Sequence, residues 1–169
     1  AYASSGISGL GDEEVTISDT TITISLLNTL DANTTSNIDA SSVTNFSGNV
    51  SDINTAYASS GISGLGDEEV TISDTTISVS LLNTLDANTT GNIDASSVTN
   101  FSGNASDINT AYASSGISGL GDEEVTISDT TISVSLLNTL DANTTGNIDA
   151  SSVTNFSGNA SDINTAYAS

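Results

Sequence analysis

The chain is built from a repeated unit of 55 residues, and this period limits its possible folds more than any other feature of the sequence. Residues 111–165 repeat residues 56–110 letter for letter. Residues 1–55 repeat them with four differences, which are Thr23 for Ser78, Ile24 for Val79, Ser36 for Gly91 and Val50 for Ala105. Residues 166–169 begin a fourth copy. Such a period is typical of solenoids and tandem arrays, and we expect the chain to be a segment of a longer array.

The charge of the chain is entirely negative. It contains 21 acidic residues and no Lys, Arg or His, which gives a formal net charge of −21. We do not expect it to bind nucleic acid, because contacts to phosphates need cationic side chains. No apolar run is long enough for membrane insertion. The expected partners are therefore the continuation of the same repeat array, or other rods with which this one self-associates.

Each copy contains two patterns typical of strands and two typical of helices. In the middle copy we predict strands at residues 70–73 and 92–96, where apolar and polar residues alternate. The first helix is predicted over residues 77–88, capped from the Asp74-Thr75-Thr76 cluster and ending before Gly91. One helical face collects its apolar residues Ile77, Leu81, Leu82 and Leu85. Ile77, Val79 and Leu81 also alternate, so a strand remains an alternative at its start.

The second helix has clearer boundary signals. Asn104 is a good N-cap residue, and Asp107 three positions later is an acid where the helix dipole favours one. Gly116 is the expected end of this helix, with Ile117 making the apolar contact of a Schellman motif.

These elements predict an α/β fold. We expect a solenoid of stacked strand-helix-strand-helix repeats with a parallel sheet, and an all-β solenoid is the alternative. The repeats are residues 1–55, 56–110 and 111–165, with 166–169 starting a fourth. Equivalent residues should then stand in rows about 10 Å apart, as for Phe46, Phe101 and Phe156. The predicted core of the middle copy is Ile72, Leu82, Leu85, Ile93, Val98, Phe101, Ile108 and Tyr112.

Two acidic stretches are candidate metal sites. Asp67, Glu68 and Glu69 follow a Gly-Leu-Gly turn and offer the hard oxygen ligands that Ca²⁺ prefers. The alternative is a solvated acidic rim. The corresponding acids of the other copies are Asp12, Glu13, Glu14, Asp122, Glu123 and Glu124.

The second stretch runs from Asp86 to Asp94 and matches part of an EF-hand loop, with Asp86, Asn88 and Asp94 as the candidate ligands. Ser97 stands where that motif needs a bidentate Glu, so the match is incomplete. The alternative is a helix C-terminus followed by an Asx-type turn. Equivalent residues in the other copies are Asp31, Asn33, Asp39, Asp141, Asn143 and Asp149.

The wording of the repeat, from Asp94-Ala-Ser-Ser through Gly119-Leu-Gly-Asp-Glu-Glu and including Leu-Leu-Asn-Thr-Leu-Asp-Ala-Asn, resembles a known class of sequence. It is similar to the tandem-repeat regions of giant secreted bacterial surface proteins of the cyanobacterial type, often associated with hemolysin-type (RTX) calcium-binding regions. The resemblance implies secretion, an extracellular or cell-surface location, and a structural or adhesive role. The tandem glycine-rich nonapeptide of those calcium-binding regions is absent.

The function that we expect is structural. The chain would form the repeat rod of a secreted extracellular filament, matrix or adhesin stalk. The alternative is a calcium-binding repeat array, and Ca²⁺ is the only cofactor that the sequence suggests. We do not expect an enzyme, because the residue types that most often act as bases and nucleophiles are absent apart from carboxylates and Tyr.

Overall fold

A computed structural model describes residues 6–169 as an α/β chain in which helices alternate with short parallel strands. The helices are α1 (Ile24–Asn33), α2 (Val50–Ala58), α3 (Val79–Asn88), α4 (Ala105–Ala113), α5 (Val134–Asn143) and α6 (Ala160–Ala168). The strands are β1 (Val15–Thr16), β2 (Thr21–Thr23), β3 (Ile38–Asp39), β4 (Asn45–Gly48), β5 (Ile62–Ser63), β6 (Glu69–Ile72), β7 (Thr76–Ser78), β8 (Ile93–Asp94), β9 (Asn100–Gly103), β10 (Ile117–Ser118), β11 (Glu124–Ile127), β12 (Thr131–Ser133), β13 (Ile148–Asp149) and β14 (Asn155–Ser157).

The helices divide the described chain into six segments that we call coils, each ending at the end of a helix. Coils 1 to 6 are residues 6–33, 34–58, 59–88, 89–113, 114–143 and 144–168. Each helix contacts the helix of the next coil. Every strand pair is parallel and joins neighbouring coils. The α/β prediction is confirmed, and the helices exclude the all-β alternative.

The strand ladders advance by a nearly constant step along the chain. Ile22 pairs with Phe46, and Phe46 pairs with Val70, so two steps cover 48 residues. The sequence repeats after 55 residues, so the ladder falls back by 7 residues in each repeat. From Val70 it continues to Ile93 rather than to Phe101. The expectation that equivalent residues share one row was therefore wrong for the hydrogen-bonded ladders, because the two coils of a repeat differ in length.

The apolar residues of the strands and helices face a common core. In β6, Val70 and Ile72 are buried while Thr71 between them is exposed, as a strand with one inward face requires. The predicted core residues Ile72, Leu82, Leu85, Ile93, Val98, Phe101 and Ile108 are all buried, which confirms them. Tyr112 is half-buried and packs against the core.

The second helix of the repeat begins as predicted. Asn104 is the N-cap of α4, and its side chain accepts a hydrogen bond of 2.9 Å from the backbone N–H of Asp107. The amide of Asn104 in turn donates to the Asp107 carboxylate at 2.6 Å. Asn49 and Asn159 cap α2 and α6 with the same pair of bonds. The cap is thus a property of the repeated sequence.

Three other boundaries differ from the predictions. The first helix starts at Val79, because Ile77 belongs to the extra strand β7. The second helix ends at Ala113 rather than at Gly116, and Ser114 after it is extended. Neither Gly91 nor Gly116 adopts a positive φ, so neither ends a helix in the left-handed conformation. Both glycines are instead required for space. A Cβ on Gly91 would collide with the Glu68 carbonyl, and one on Gly116 would lie 2.6 Å from Oδ1 of Asp86.

Candidate functional site

The most unusual group in the protein is a glutamate that is completely buried. Glu68 lies just before β6 and has 0% of its surface exposed. The hydroxyl of Tyr57, near the end of α2, donates to Oε2 of Glu68 at 2.7 Å. The backbone N–H of Gly66 donates to the same carboxyl group, at 2.9 Å from Oε2. Burying a carboxyl group is costly unless it is hydrogen-bonded, and here the donors are neutral groups.

The same arrangement recurs one repeat later. Glu123 is also 0% exposed, and it accepts hydrogen bonds of 2.8 Å from Tyr112 and 2.9 Å from the N–H of Gly121. The backbone carbonyl of each glutamate has a further partner. Thr89 donates to the Glu68 carbonyl at 2.8 Å, and Thr144 donates to that of Glu123 at 2.9 Å. Each glutamate therefore connects three consecutive coils.

The tyrosines in these contacts have altered acidity. Burial, together with the hydrogen bond to Glu68, raises the pKa of Tyr57 above its ordinary value. Tyr112 has a raised pKa for the same reasons, with Glu123 as its partner. The rings also pack against core aromatics, with Tyr57 meeting Phe46 edge to face at a centroid distance of 6.0 Å. The tyrosines act as fixed donors to the buried acids.

The Asp67-Glu68-Glu69 candidate is divided between solvent and core. Asp67 and Glu69 are exposed, whereas Glu68 is buried between them. The prediction of a solvated acidic rim is therefore wrong for Glu68. Within residues 6–169, no group of three or more acidic side chains is arranged to hold a metal ion.

The candidates from the partial EF-hand loop face different neighbours. Asp86 accepts from the hydroxyl of Ser114, at 3.0 and 2.9 Å from its two carboxylate oxygens. Asn88 donates to the side chain of Asn54 at 3.2 Å. Asp94 accepts from the N–H of Ser96 at 3.0 Å in an Asx-type turn. The hydroxyl and N–H of Ser96 lower the pKa of Asp94. Asp86 and Asn88 thus bind residues of other coils, and Asp94 binds within its own turn.

Asparagine side chains connect each helix to the next along the whole described chain. Asn83 in α3 donates to the carbonyl of Asp107 in α4 at 3.0 Å, and Asn109 in α4 donates to that of Leu136 in α5 at 3.2 Å. The corresponding donors in the other helices are Asn28, Asn54 and Asn138. Each such bond contributes about 1 kcal/mol of stability. We call this series the asparagine ladder.

A second connection between coils uses an aspartate as a helix cap. Asp74 was predicted to belong to the N-cap cluster of the helix that follows it. Its carboxylate instead accepts from the backbone N–H of Val50, the first residue of α2 in the preceding coil, at 2.8 Å. Asp129 does the same for Ala105 in α4. A negative charge at a helix N-terminus is favourable, so each contact stabilises a coil junction.

Sequence reasoning missed the buried glutamates and the asparagine ladder. A signal for the ladder was present, because Asn83 and Asn109 each lie in mid-helix among apolar residues, where asparagine is unfavourable without a partner. No comparable local signal marks Glu68, since it stands between two exposed acids. Its burial depends on Tyr57, eleven residues earlier, and is a property of the tertiary structure.

No protein-family model, curated protein or solved structure matches this chain. Among the helices of residues 6–169, none combines the length and apolar character needed to cross a membrane.

Proposed function

We propose that this chain is an α/β solenoid that serves as a structural rod in a secreted extracellular filament, matrix or adhesin stalk. The observation that carries the proposal is the recurrence of the same junction between coils. Strand pairing, helix contact and the asparagine ladder join each coil to the next. In repeat proteins, stability is the sum of such nearest-neighbour contacts, so an array of them can be extended to any length.

The composition of the described chain suits this role. Within residues 6–169, every buried side-chain nitrogen or oxygen has a hydrogen-bond partner. The candidate metal ligands of the partial EF-hand loop take part in contacts inside the stack, and Asp86 reaches Ser114 in a later coil. A dense negative surface keeps such a protein soluble. The extracellular location rests on the resemblance to repeats of giant secreted surface proteins.

The spacings of strands and helices predict the shape of the rod. Neighbouring strands lie about 4.8 Å apart, whereas packed helices lie about 8–10 Å apart. A stack with two coils per repeat should therefore lengthen by roughly 10–20 Å per repeat. It should also curve, with the strands on the shorter inner side.

Small-angle scattering of two lengths of the protein tests the rod. The present chain is compared with a version that carries three additional copies of residues 56–110. The maximum dimension should increase by about 30–60 Å. A compact packing would raise the radius of gyration only from about 15 Å to about 20 Å, and that result would exclude the rod.

A calcium-binding repeat array is the second candidate function. It is favoured by the exposure of Asp67 and Glu69, which recur in every copy of a chain that carries no cation. Calorimetric titration of chelator-treated protein with Ca²⁺ tests it. Binding of about one ion per repeat would support the array, and the absence of heat would remove it.

A further inference from the structure

The last coil leaves uncovered an apolar surface that is buried elsewhere in the chain. We call this surface the C-terminal face, and its apolar members are Leu137, Ile148, Ala150, Val153 and Phe156. All five are partly exposed, whereas the equivalent residues of the middle repeat are buried, namely Leu82, Ile93, Ala95, Val98 and Phe101. Two open hollows on this face share Leu137, Ala150 and Ala166 among their lining residues. Tyr167 beside them is 79% exposed.

The junction between coils 4 and 5 shows how this kind of surface is covered. Strand β9 of coil 4 pairs with β11 of coil 5, with Asn100 opposite Glu124. Asn109 donates to the Leu136 carbonyl, and Asp129 caps the first N–H of α4. Tyr112 donates to Glu123. Coil 4 thus supplies the covered surface and coil 5 covers it.

Both sides of that junction are present again at the two ends of the described chain. Coil 6 has the same sequence as coil 4. Coil 1 has the same sequence as residues 116–143 of coil 5 apart from Thr23 for Ser133 and Ile24 for Val134. Coil 1 also exposes apolar residues, with Ile7 50%, Leu10 43% and Leu26 59% exposed. One copy of the protein therefore carries two complementary halves of a junction that its own interior already forms.

We propose that the C-terminal face of one copy binds coil 1 of a second copy, head to tail, and reproduces the junction between coils 4 and 5. Residues Asn155–Ser157 would pair with residues 14–16 of the second copy, as β9 pairs with β11. Asn164 would donate to the Leu26 carbonyl of the second copy, and Asp19 of the second copy would cap α6. This inference rests on the proposed function, because it requires that coils stack. A heterologous contact of this type does not close on itself and produces filaments.

Two features of the chain set the conditions for this association. Each copy carries a net charge of −21, so repulsion between copies opposes docking at low salt and is screened as salt is added. Residues 1–4 also repeat the sequence of residues 166–169, so only one of the two segments can complete the helix at the junction. Deletion of residues 1–5 should therefore not weaken the association.

Two variants each remove one half of the junction. In β1, the N–H groups of Val15 and Ile17 donate towards coil 2, so the N–H of Thr16 points away from it, at the exposed edge. Thr16→Pro removes that donor at an edge position where proline is tolerated, and Thr16→Val is the matched control that keeps it. Ala150→Glu places a charge on the C-terminal face, and Ala150→Ser is its control.

Analytical ultracentrifugation in about 1 M NaCl, where the Debye length is about 3 Å, measures the association. The unmodified protein should shift from its monomer mass of 16.9 kDa to a series of multiples as its concentration rises. Thr16→Pro and Ala150→Glu should each remain monomeric, while both controls associate. A mixture of the two variants should stop at the dimer, because Thr16→Pro retains a working C-terminal face and Ala150→Glu retains a working coil 1.

The outcomes separate this inference from the proposed function. Association that persists in both single variants would mean that rods pack side by side, and it would overturn the head-to-tail junction. An unmodified protein that stays monomeric at every concentration, yet lengthens with added repeats in scattering, would overturn the junction alone. A compact scattering profile would overturn both. Circular dichroism confirms that each variant folds, and Asp19→Ala replaces Thr16→Pro if proline unfolds coil 1.

Discussion

The hydroxyl of Tyr57 lies 2.7 Å from Oε2 of Glu68, eleven residues further along the chain. This contact joins the end of α2 to the loop that precedes β6, and the Tyr112–Glu123 pair repeats it. A chain with no Lys, Arg or His cannot pair a buried acid with a cation. A tyrosine and a backbone N–H perform that role here, and this makes the contact a sensitive point of the coil junction.

Replacing Tyr57 by Phe should destabilise the protein. Glu68 would keep the N–H of Gly66 but lose its only side-chain donor in the described structure, which leaves a buried acceptor short of a partner. We expect the free energy of unfolding, measured with urea, to fall by about 1–3 kcal/mol. Tyr167→Phe is the matched control, because Tyr167 is 79% exposed, and it should change stability by less than about 0.5 kcal/mol. Equal effects of the two substitutions would contradict the role of the buried pair.

A side chain at Gly91 should also weaken the protein. A Cβ at this position would collide with the Glu68 carbonyl, which Thr89 holds in place through a hydrogen bond. We expect Gly91→Ala to cost about 1–3 kcal/mol in urea unfolding, as overpacking of a tight site does. The first copy has Ser36 at the equivalent position, where its hydroxyl donates to the Asp12 carbonyl. Ser36→Ala is therefore the control, and it should cost less than about 1 kcal/mol. A larger loss for Ser36→Ala would show that the crowding at Gly91 has been misinterpreted.

The core was predictable from the sequence because apolar residues recur at regular spacing within each copy. Leu82, Leu85 and Ile108 are buried as the helical pattern indicates. The cap at Asn104 was predictable for the same reason, since it depends only on residues three positions apart. Short-range patterns therefore contain this part of the fold.

Contacts between coils were not predictable in the same way. Asp74 resembles a local helix cap, but its carboxylate binds Val50, 24 residues earlier. Gly91 resembles a helix end, but its role is to leave space for the Glu68 carbonyl. In both cases the decisive partner is set by how coils stack, and a single copy of the repeat contains no measure of that register.

Truncating Leu85 tests the position of α3 against the core. Leu85 is fully buried, and Leu85→Ala should lower the free energy of unfolding by about 2–5 kcal/mol. Leu81 belongs to the same helix but is 38% exposed, so Leu81→Ala should cost clearly less. Comparison of the two urea midpoints provides the measurement. A loss well below about 1 kcal/mol for Leu85→Ala would mean that α3 presents a different face to the core.

The buried tyrosines should make the protein sensitive to alkali. Tyrosine in an unfolded chain titrates near pH 10, and burial raises the pKa of Tyr57 and Tyr112 above this value. As the pH rises past about 10, the unfolded state releases protons that the folded state retains, so stability is full below this pH and falls above it. The melting temperature of a Tyr57→Phe, Tyr112→Phe double variant should be lower at neutral pH but should fall less between about pH 9 and pH 11. Identical slopes for this variant and for Tyr167→Phe would contradict the prediction.

Salt should stabilise the protein through its uniform negative charge. Seven acids per repeat, over a rise of roughly 10 Å along the strands, approach the charge density of duplex DNA, and no cation on the chain offsets them. Screening weakens their mutual repulsion, so the melting temperature should rise when NaCl is added to dilute buffer. CaCl₂ and MgCl₂ at matched ionic strength should raise it equally if the effect is general. A rise specific to Ca²⁺ would instead support the calcium-binding array, and Asp67→Asn with Glu69→Gln should then abolish it. A flat series in all three salts would show that the acids lie too far apart to repel one another, which the stacked coils do not allow.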